Sequence, residues 1–101
     1  MFERPEGLAG FDAKGQPNSQ YYGLGWTVKI IDSDHFTASH SGSLPGTNTI
    51  LTRRADGRNV AILFNTRASA ESSRIVSDVL PELNSAIDSI KEWPEHNLFE
   101  N

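Results

Sequence analysis

The hydrophobic pattern of this chain changes at Asn65, and that change restricts its fold more than any other feature. After Asn65, apolar side chains recur every three or four residues, a spacing typical of one face of an α-helix. They are Ile75, Val76, Val79, Leu80, Leu83, Ile87 and Ile90. Before Asn65, short runs rich in β-branched and aromatic residues alternate with turn signals, as in antiparallel strands. Strands followed by one helix predict an α+β fold in which the helix packs on one face of the sheet.

The strand region spans residues 22–65 and divides into about four strands. The runs are YGLGWTVKII, HFTASHS, TNTILTRR and NVAILFN, separated by D-S-D, L-P-G and D-G turn signals. The last run is continuously apolar from Val60 to Phe64, which predicts a central strand covered on both faces. Residues 1–20 show neither the helical nor the strand periodicity of apolar residues, which predicts an irregular lead-in to the first strand.

The helical pattern predicts one helix over residues 69–92, followed by a polar, frayed tail over residues 93–101. Pro81 interrupts the apolar stripe, and proline removes a main-chain donor and clashes with the preceding turn. We therefore expect either a kink at Pro81 or two abutting helical pieces. At 101 residues the chain is long enough for one domain, and we expect residues 1–101 to form it.

Composition excludes several classes of function. The net charge is −4, with no massed arginines, so nucleic acid is not an expected partner. No run approaches the roughly 18 apolar residues of a membrane span. The chain has no cysteine, which excludes a disulfide framework and a thiolate nucleophile. Its three histidines are too far apart to suggest a metal motif, and we expect no metal and no cofactor.

The segment HSGSLPG, residues 40–46, is the part of the sequence that points to chemistry. It follows a Y-G-L-G-W strand and precedes a D-G-R hairpin whose second strand is apolar and ends in Asn65. In this order, the elements resemble the C-terminal third of the β-lactamase, penicillin-binding-protein (D,D-peptidase) and esterase superfamily of serine hydrolases. The similarity spans Tyr22 to Arg67. The H-x-G triplet occupies the place of that family's third motif, K-T-G, on the strand that borders the active-site cleft.

Acyl transfer through a serine ester needs hydrogen-bond donors aimed at the oxyanion that develops on the attacked carbonyl. Gly42 removes a side chain where the substrate must approach closely, and the N–H of Ser43 can point at the oxyanion. The resemblance implies this role for the residue after the glycine. His40 would donate a hydrogen bond to the substrate or to the proton-transfer network. The alternative is that His40, Gly42 and Ser43 form part of an ordinary hairpin with no catalytic duty.

Two of the family's three motifs are missing. No serine is followed by a lysine three positions later, so the nucleophile motif S-x-x-K is absent, and Y-x-N is absent as well. Catalytic residues act as a unit, and losing one member removes nearly all of the activity. We therefore expect no catalytic residue and no turnover in this chain alone.

Three interpretations remain open from the sequence. In the first, the chain is the C-terminal domain of such a hydrolase, acting on β-lactam, peptide or ester substrates in the full-length enzyme. Its partner is then the missing N-terminal part, or a second copy bound through an exposed sheet face. In the second, the chain is a noncatalytic module that binds a partner along an exposed sheet edge. In the third, it is a small structural domain. The family resemblance alone favours a periplasmic or cell-surface location.

Overall fold

A computed structural model describes residues 1–67, 75–97 and 99. Within these residues, a short 3₁₀ helix (Gly7–Ala9) is followed by five strands and one α-helix. They are β1 (Gln20–Tyr22), β2 (Thr27–Ile30), β3 (Phe36–Leu44), β4 (Thr47–Arg53), β5 (Asn59–Phe64) and α1 (Ile75–Ser89). The strands form one antiparallel sheet in the order β1-β2-β3-β4-β5, so each strand pairs with its neighbour in sequence. The α+β fold is confirmed, with five strands where the sequence indicates about four.

The additional strand, β1, arises because the chain reverses at the start of the first predicted strand, and Gln20, which belongs to the predicted lead-in, is already part of β1. The N–H of Gly23 donates to the carbonyl of Trp26 at 2.8 Å, which closes a turn between β1 and β2. Gly25 in this turn has a φ of 81°, a left-handed conformation that glycine adopts without strain. The G-L-G sequence therefore reverses the chain inside a segment whose composition is that of a continuous strand.

Strand β5 lies at the end of the sheet, so the expectation of a central strand covered on both faces is wrong. Its burial alternates: Val60 and Ile62 are buried, whereas Ala61 and Leu63 are exposed. One face of β5 is covered by α1, and the other is open to solvent.

Helix α1 packs on the sheet as expected, with Val76 and Ile87 against Val60 and Ile62. It is one helix through Pro81, so the expectation of two abutting pieces is wrong. Both Pro81 and the residue four positions before it are exposed, and water can satisfy the carbonyl that loses its donor. The helix ends at Ser89 rather than at residue 92, and the predicted start at residue 69 lies outside the described residues.

The N-terminal segment covers part of the sheet face opposite α1. Phe2 packs against the rings of Trp26 and Phe36, with ring centroids 5.6 and 5.3 Å away. The carbonyl of Phe2 accepts a hydrogen bond of 2.6 Å from the Tyr21 hydroxyl. Arg4 donates to two carbonyls of the same segment and stacks over the Tyr21 ring at 4.5 Å. Apart from the 3₁₀ helix Gly7–Ala9, the residues before β1 are irregular in structure, and they are held on the β1–β3 half of this face.

Candidate functional site

Strand β3 is longer than its neighbour β2, and the difference leaves part of its edge open. Strand β2 pairs with Phe36–Ser39 only. From His40 to Leu44, β3 pairs with β4 on one side and, among the described residues, with no strand on the other. The chain turns away at Trp26, where it enters the hairpin towards β1. The open edge is therefore the segment His40–Leu44 on the side of β2.

The hydrogen-bond pattern determines which main-chain groups face this open edge. In an antiparallel ladder, successive residues point their N–H and C=O groups alternately to the two neighbouring strands. The β2–β3 hairpin is closed by a hydrogen bond of 2.9 Å from the N–H of Ile31 to the carbonyl of His35. Counting from this pair, Thr37 and Ser39 bond to β2. Ser41 and Ser43 continue the same set, so their N–H and C=O groups point out of the sheet at the open edge.

Gly42 lies between these two serines and is paired with Thr49. A Cβ atom at Gly42 would lie 2.6 Å from the Oγ1 of Thr49, which is closer than two such atoms can approach. Cross-strand packing is therefore one reason for a glycine here, in addition to the close approach of substrate that the sequence suggests.

His40 is exposed and lies on the same face as Gly42, because side chains two residues apart share a face. It borders an open cavity of about 420 Å³ on the face opposite α1. The cavity walls are mostly apolar and include Trp26, Leu51 and Leu63. The imidazole thus lies between solvent and an apolar surface, and the part of this face around Leu63 is not covered by the N-terminal segment.

The side chain of Ser43 points to the other face, towards α1. Its Oγ is buried and has no hydrogen-bond partner among the described residues. It lines a second cavity of about 250 Å³, together with the hydroxyl-bearing Thr27, Ser39 and Ser41. The side chains of His40 and Ser43 are therefore on opposite faces, and only main-chain groups of β3 lie between them at the edge.

Asn48 connects the open strand to the helix. It is 2% exposed. Its Nδ2 donates to the carbonyl of Gly42 at 3.2 Å, and its Oδ1 accepts a hydrogen bond of 3.0 Å from the N–H of Val76 in the first turn of α1. Asn48 thereby fixes the position of β3 relative to the helix.

A separate polar cluster ties the β4–β5 hairpin to α1. Arg54 forms ion pairs with Asp56 and Asp88, and its Nη1 donates to Asn84 Oδ1 at 2.7 Å. Hydrogen bonds from the side chain of Arg54 and from the main chain of Arg58 hold the pKa of Asp56 well below its usual range. Every charge in this cluster has a partner within it, so the cluster is structural in character.

The sequence identifies His40, Gly42 and Ser43, and the structure brings all three to the open end of β3. Sequence reasoning missed three further residues of this region, which are Ser41, Asn48 and Thr49. Ser41 could have been found from the alternation of N–H and C=O directions along a strand, because Ser41 is two residues from Ser43 and points the same way. No sequence signal marks Asn48, because its two partners are distant along the chain.

The chain matches no protein-family model, no curated protein and no solved structure. Within residues 1–67, 75–97 and 99, no group of three or more His, Cys, Asp or Glu side chains is arranged to hold a metal ion. Across the same residues, no helix has the length and apolarity needed to cross a membrane.

Proposed function

We propose that this chain is the C-terminal domain of a β-lactamase-like serine hydrolase and that the open end of β3 forms one wall of its active site. The observation that carries the proposal is the free edge from His40 to Leu44, with the N–H groups of Ser41 and Ser43 directed out of the sheet. An oxyanion hole needs donors of this kind, fixed by the fold and not engaged within it.

The reaction is acyl transfer through a serine ester on a β-lactam, peptide or ester substrate. The nucleophilic serine belongs to a part of the enzyme upstream of these residues. As it attacks the carbonyl carbon, negative charge develops on the carbonyl oxygen. The N–H of Ser43 and that of the nucleophile stabilise this charge from about 2.7–3.1 Å. His40 lies on the face opposite α1 and donates a hydrogen bond to the substrate or to the proton-transfer network, so it acts as a binding or relay group.

The chain alone lacks S-x-x-K and Y-x-N and has no nucleophile, so it has no hydrolase activity in isolation. Its partner is the N-terminal part of the enzyme, or a second copy bound through the exposed sheet. Two large apolar side chains that line one cavity on the face opposite α1 support this: Leu51 and Leu63 are 45% and 77% exposed. Contiguous exposed apolar surface is typical of a surface that another structure covers. The family resemblance favours a periplasmic or cell-surface enzyme.

Two substitutions at one position test the role of the Ser43 main chain in the full-length gene product. Ser43→Pro removes the N–H that points out of the sheet and leaves the ladder with β4 intact. Ser43→Ala keeps this N–H and removes only a hydroxyl that has no partner in the described part of the chain. We expect the proline variant to lose about 10²–10³-fold in the rate of acylation by an activated ester, and the alanine variant to retain the parent rate.

Equal acylation rates in the two variants would contradict the oxyanion role. Circular dichroism and thermal unfolding of both variants show whether the fold is retained. A comparable loss in the alanine variant would mean that the hydroxyl, rather than the main chain, contributes to the reaction.

The same open edge supports a second candidate function, which is binding of an extended peptide by strand addition. Ser41 and Ser43 present two sets of donors and acceptors with the spacing of a β-ladder, and a cavity lies on each side of them. Titrating the ¹⁵N-labelled chain with extended peptides tests this function. Saturable shifts at residues 40–44 that Ser43→Pro abolishes, with the peptide recovered uncleaved, would support a binding module over an enzyme domain.

A further inference from the structure

The N–H of Ser43, which is the proposed oxyanion donor, shares one peptide unit with the carbonyl of Gly42. A trans peptide unit is planar, and its N–H and C=O groups point in opposite directions. Because the N–H of Ser43 points out of the sheet, the carbonyl of Gly42 points into it, towards β4. The groups that bind this carbonyl therefore set the direction of the N–H at the open edge.

Three donors converge on the carbonyl of Gly42. The first is the main-chain N–H of Thr49, which is paired with Gly42 in the β3–β4 ladder. The other two belong to side chains, Asn48 Nδ2 at 3.2 Å and Thr49 Oγ1 at 3.5 Å. Asn48 and Thr49 are consecutive on one strand, so their side chains lie on opposite faces of the sheet. The carbonyl is thus held in the plane of the sheet and from both of its faces.

The hydrogen bond from Asn48 continues a chain of hydrogen bonds that starts at helix α1. The N–H of Val76 donates to Asn48 Oδ1 at 3.0 Å, and Asn48 Nδ2 donates to the carbonyl of Gly42. The amide of Asn48 and the peptide unit that ends in the Ser43 N–H are therefore connected in series. Each bond in such a chain polarises the next, and more strongly in a buried site, such as that of Asn48, which is 2% exposed. The N–H at the end of the chain becomes a stronger donor.

We propose that Asn48 is a positioning residue of the active site. Its side-chain amide holds and polarises the peptide unit whose Ser43 N–H stabilises the oxyanion. This inference rests on the proposed function, since it assigns the support of that same donor. Thr49 Oγ1 adds a weaker contact from the other face, because its hydrogen bond is longer. A glycine at position 42 leaves room for this Oγ1, which a Cβ atom there would meet at 2.6 Å.

The amide proton of Ser43 reports the polarisation without any enzyme activity. Hydrogen bonds to the carbonyl of Gly42 withdraw electron density from the N–H of the same peptide unit. In the ¹⁵N-labelled chain, we expect Asn48→Leu to move the Ser43 amide proton to higher field. Thr49→Val is nearly isosteric and leaves the link to α1 intact, and it should move this resonance in the same direction by a smaller amount. It carries the same test if Asn48→Leu does not fold.

Ile87→Ala is the matched control for loss of stability. Ile87 is buried between α1 and the sheet, about 16 Å along the helix from Val76. Truncating a buried isoleucine destabilises a fold substantially, but this side chain forms no hydrogen bond with β3. The control should therefore unfold more easily and leave the Ser43 amide proton where it is.

Acylation of the full-length gene product by an activated ester tests the consequence for the reaction. An oxyanion donor acts in the transition state, so Asn48→Leu should lower the acylation rate constant about tenfold and leave the affinity for the ester unchanged. This loss is smaller than that expected for Ser43→Pro, because the N–H is displaced rather than removed. Ile87→Ala should retain the parent rate constant at a temperature where circular dichroism shows every variant folded.

An unshifted Ser43 amide proton in both Asn48→Leu and Thr49→Val would overturn the inference. An equal loss of acylation in Ile87→Ala would overturn it as well, because stability would then account for the effect. If Ser43→Pro lost acylation and a folded Asn48→Leu did not, this inference alone would fail. If Ser43→Pro kept the parent rate, the proposed function would fail, whereas the shifted resonance would still support polarisation of this peptide unit by Asn48.

Discussion

Replacing Asn48 with alanine should destabilise the fold through two hydrogen bonds at once. The substitution leaves the N–H of Val76 without its partner, in a site where Asn48 itself is 2% exposed. It also removes one donor from the carbonyl of Gly42, which keeps a hydrogen bond of 3.5 Å from the Oγ1 of Thr49. A buried polar group left without a partner costs about 1–3 kcal/mol, and a lost hydrogen bond to a group that keeps another partner costs about 0.5–1.5 kcal/mol, so we expect a total loss of about 2–4 kcal/mol in the free energy of unfolding. A domain of this size has a total of only about 5–15 kcal/mol.

Urea denaturation followed by circular dichroism measures this loss. With an m-value of about 1–3 kcal/mol/M, the midpoint for Asn48→Ala should fall by about 0.7–4 M. Asn48→Leu retains the volume and removes both hydrogen bonds, and it should be destabilised to a similar extent. Asn59→Ala is the matched control, because Asn59 is an exposed strand asparagine. If Asn48→Leu unfolded at the same urea concentration as the parent, the hydrogen bonds would not be the source of stability and the reasoning would be refuted.

Three further predictions concern stability. Thr52→Val should raise the free energy of unfolding by about 1 kcal/mol, because it replaces by a methyl group a buried hydroxyl that has no partner among the residues the structure describes; a decrease in melting temperature would count against it. Gly42→Ala should destabilise the chain through contact with Thr49, and Thr49→Ala should remove most of that cost in a double-mutant cycle; additive effects would contradict the contact. Asp56 has a folded-state pKa held below its unfolded value of about 3.9, first by Arg54, so its contribution is present above that pH and lost as the pH falls below it. Asp56→Asn should therefore flatten the decline of melting temperature in acid, and an unchanged decline would show that Asp56 has no part in it.

The sequence predicts the α+β architecture because its two hydrophobic periods are distinct. The helix stripe and the D-G turn each have one physical interpretation, and the structure agrees with both. The first strand was harder to predict, since Gly25 is embedded in a run of β-forming residues and only its left-handed φ reveals the hairpin. The prediction that β5 is a central strand was wrong for a different reason. A continuous apolar run does indicate two faces that favour burial, but it cannot say whether a neighbouring strand is present in the same chain.

The candidate site was predictable in part. The resemblance draws attention to His40, Gly42 and Ser43, and the structure explains how a single strand carries all three. The sequence does not show that β2 stops opposite Ser39, because strand ends depend on the hairpin at Trp26. It also does not show Asn48 as the link between β3 and α1, since that link joins residues 28 positions apart. The end of β2 and the link through Asn48 both depend on tertiary contacts, and both determine whether the edge at Ser43 is free.

The most direct test of the proposed function is to label the native gene product with a fluorescent fluorophosphonate after immunoprecipitation with an antibody raised against this chain. A serine hydrolase domain predicts a labelled band several times heavier than 11.1 kDa, with the labelled serine upstream of the sequence described. A band at 11.1 kDa, or a heavier band that takes no label while a control serine hydrolase does, would contradict the account.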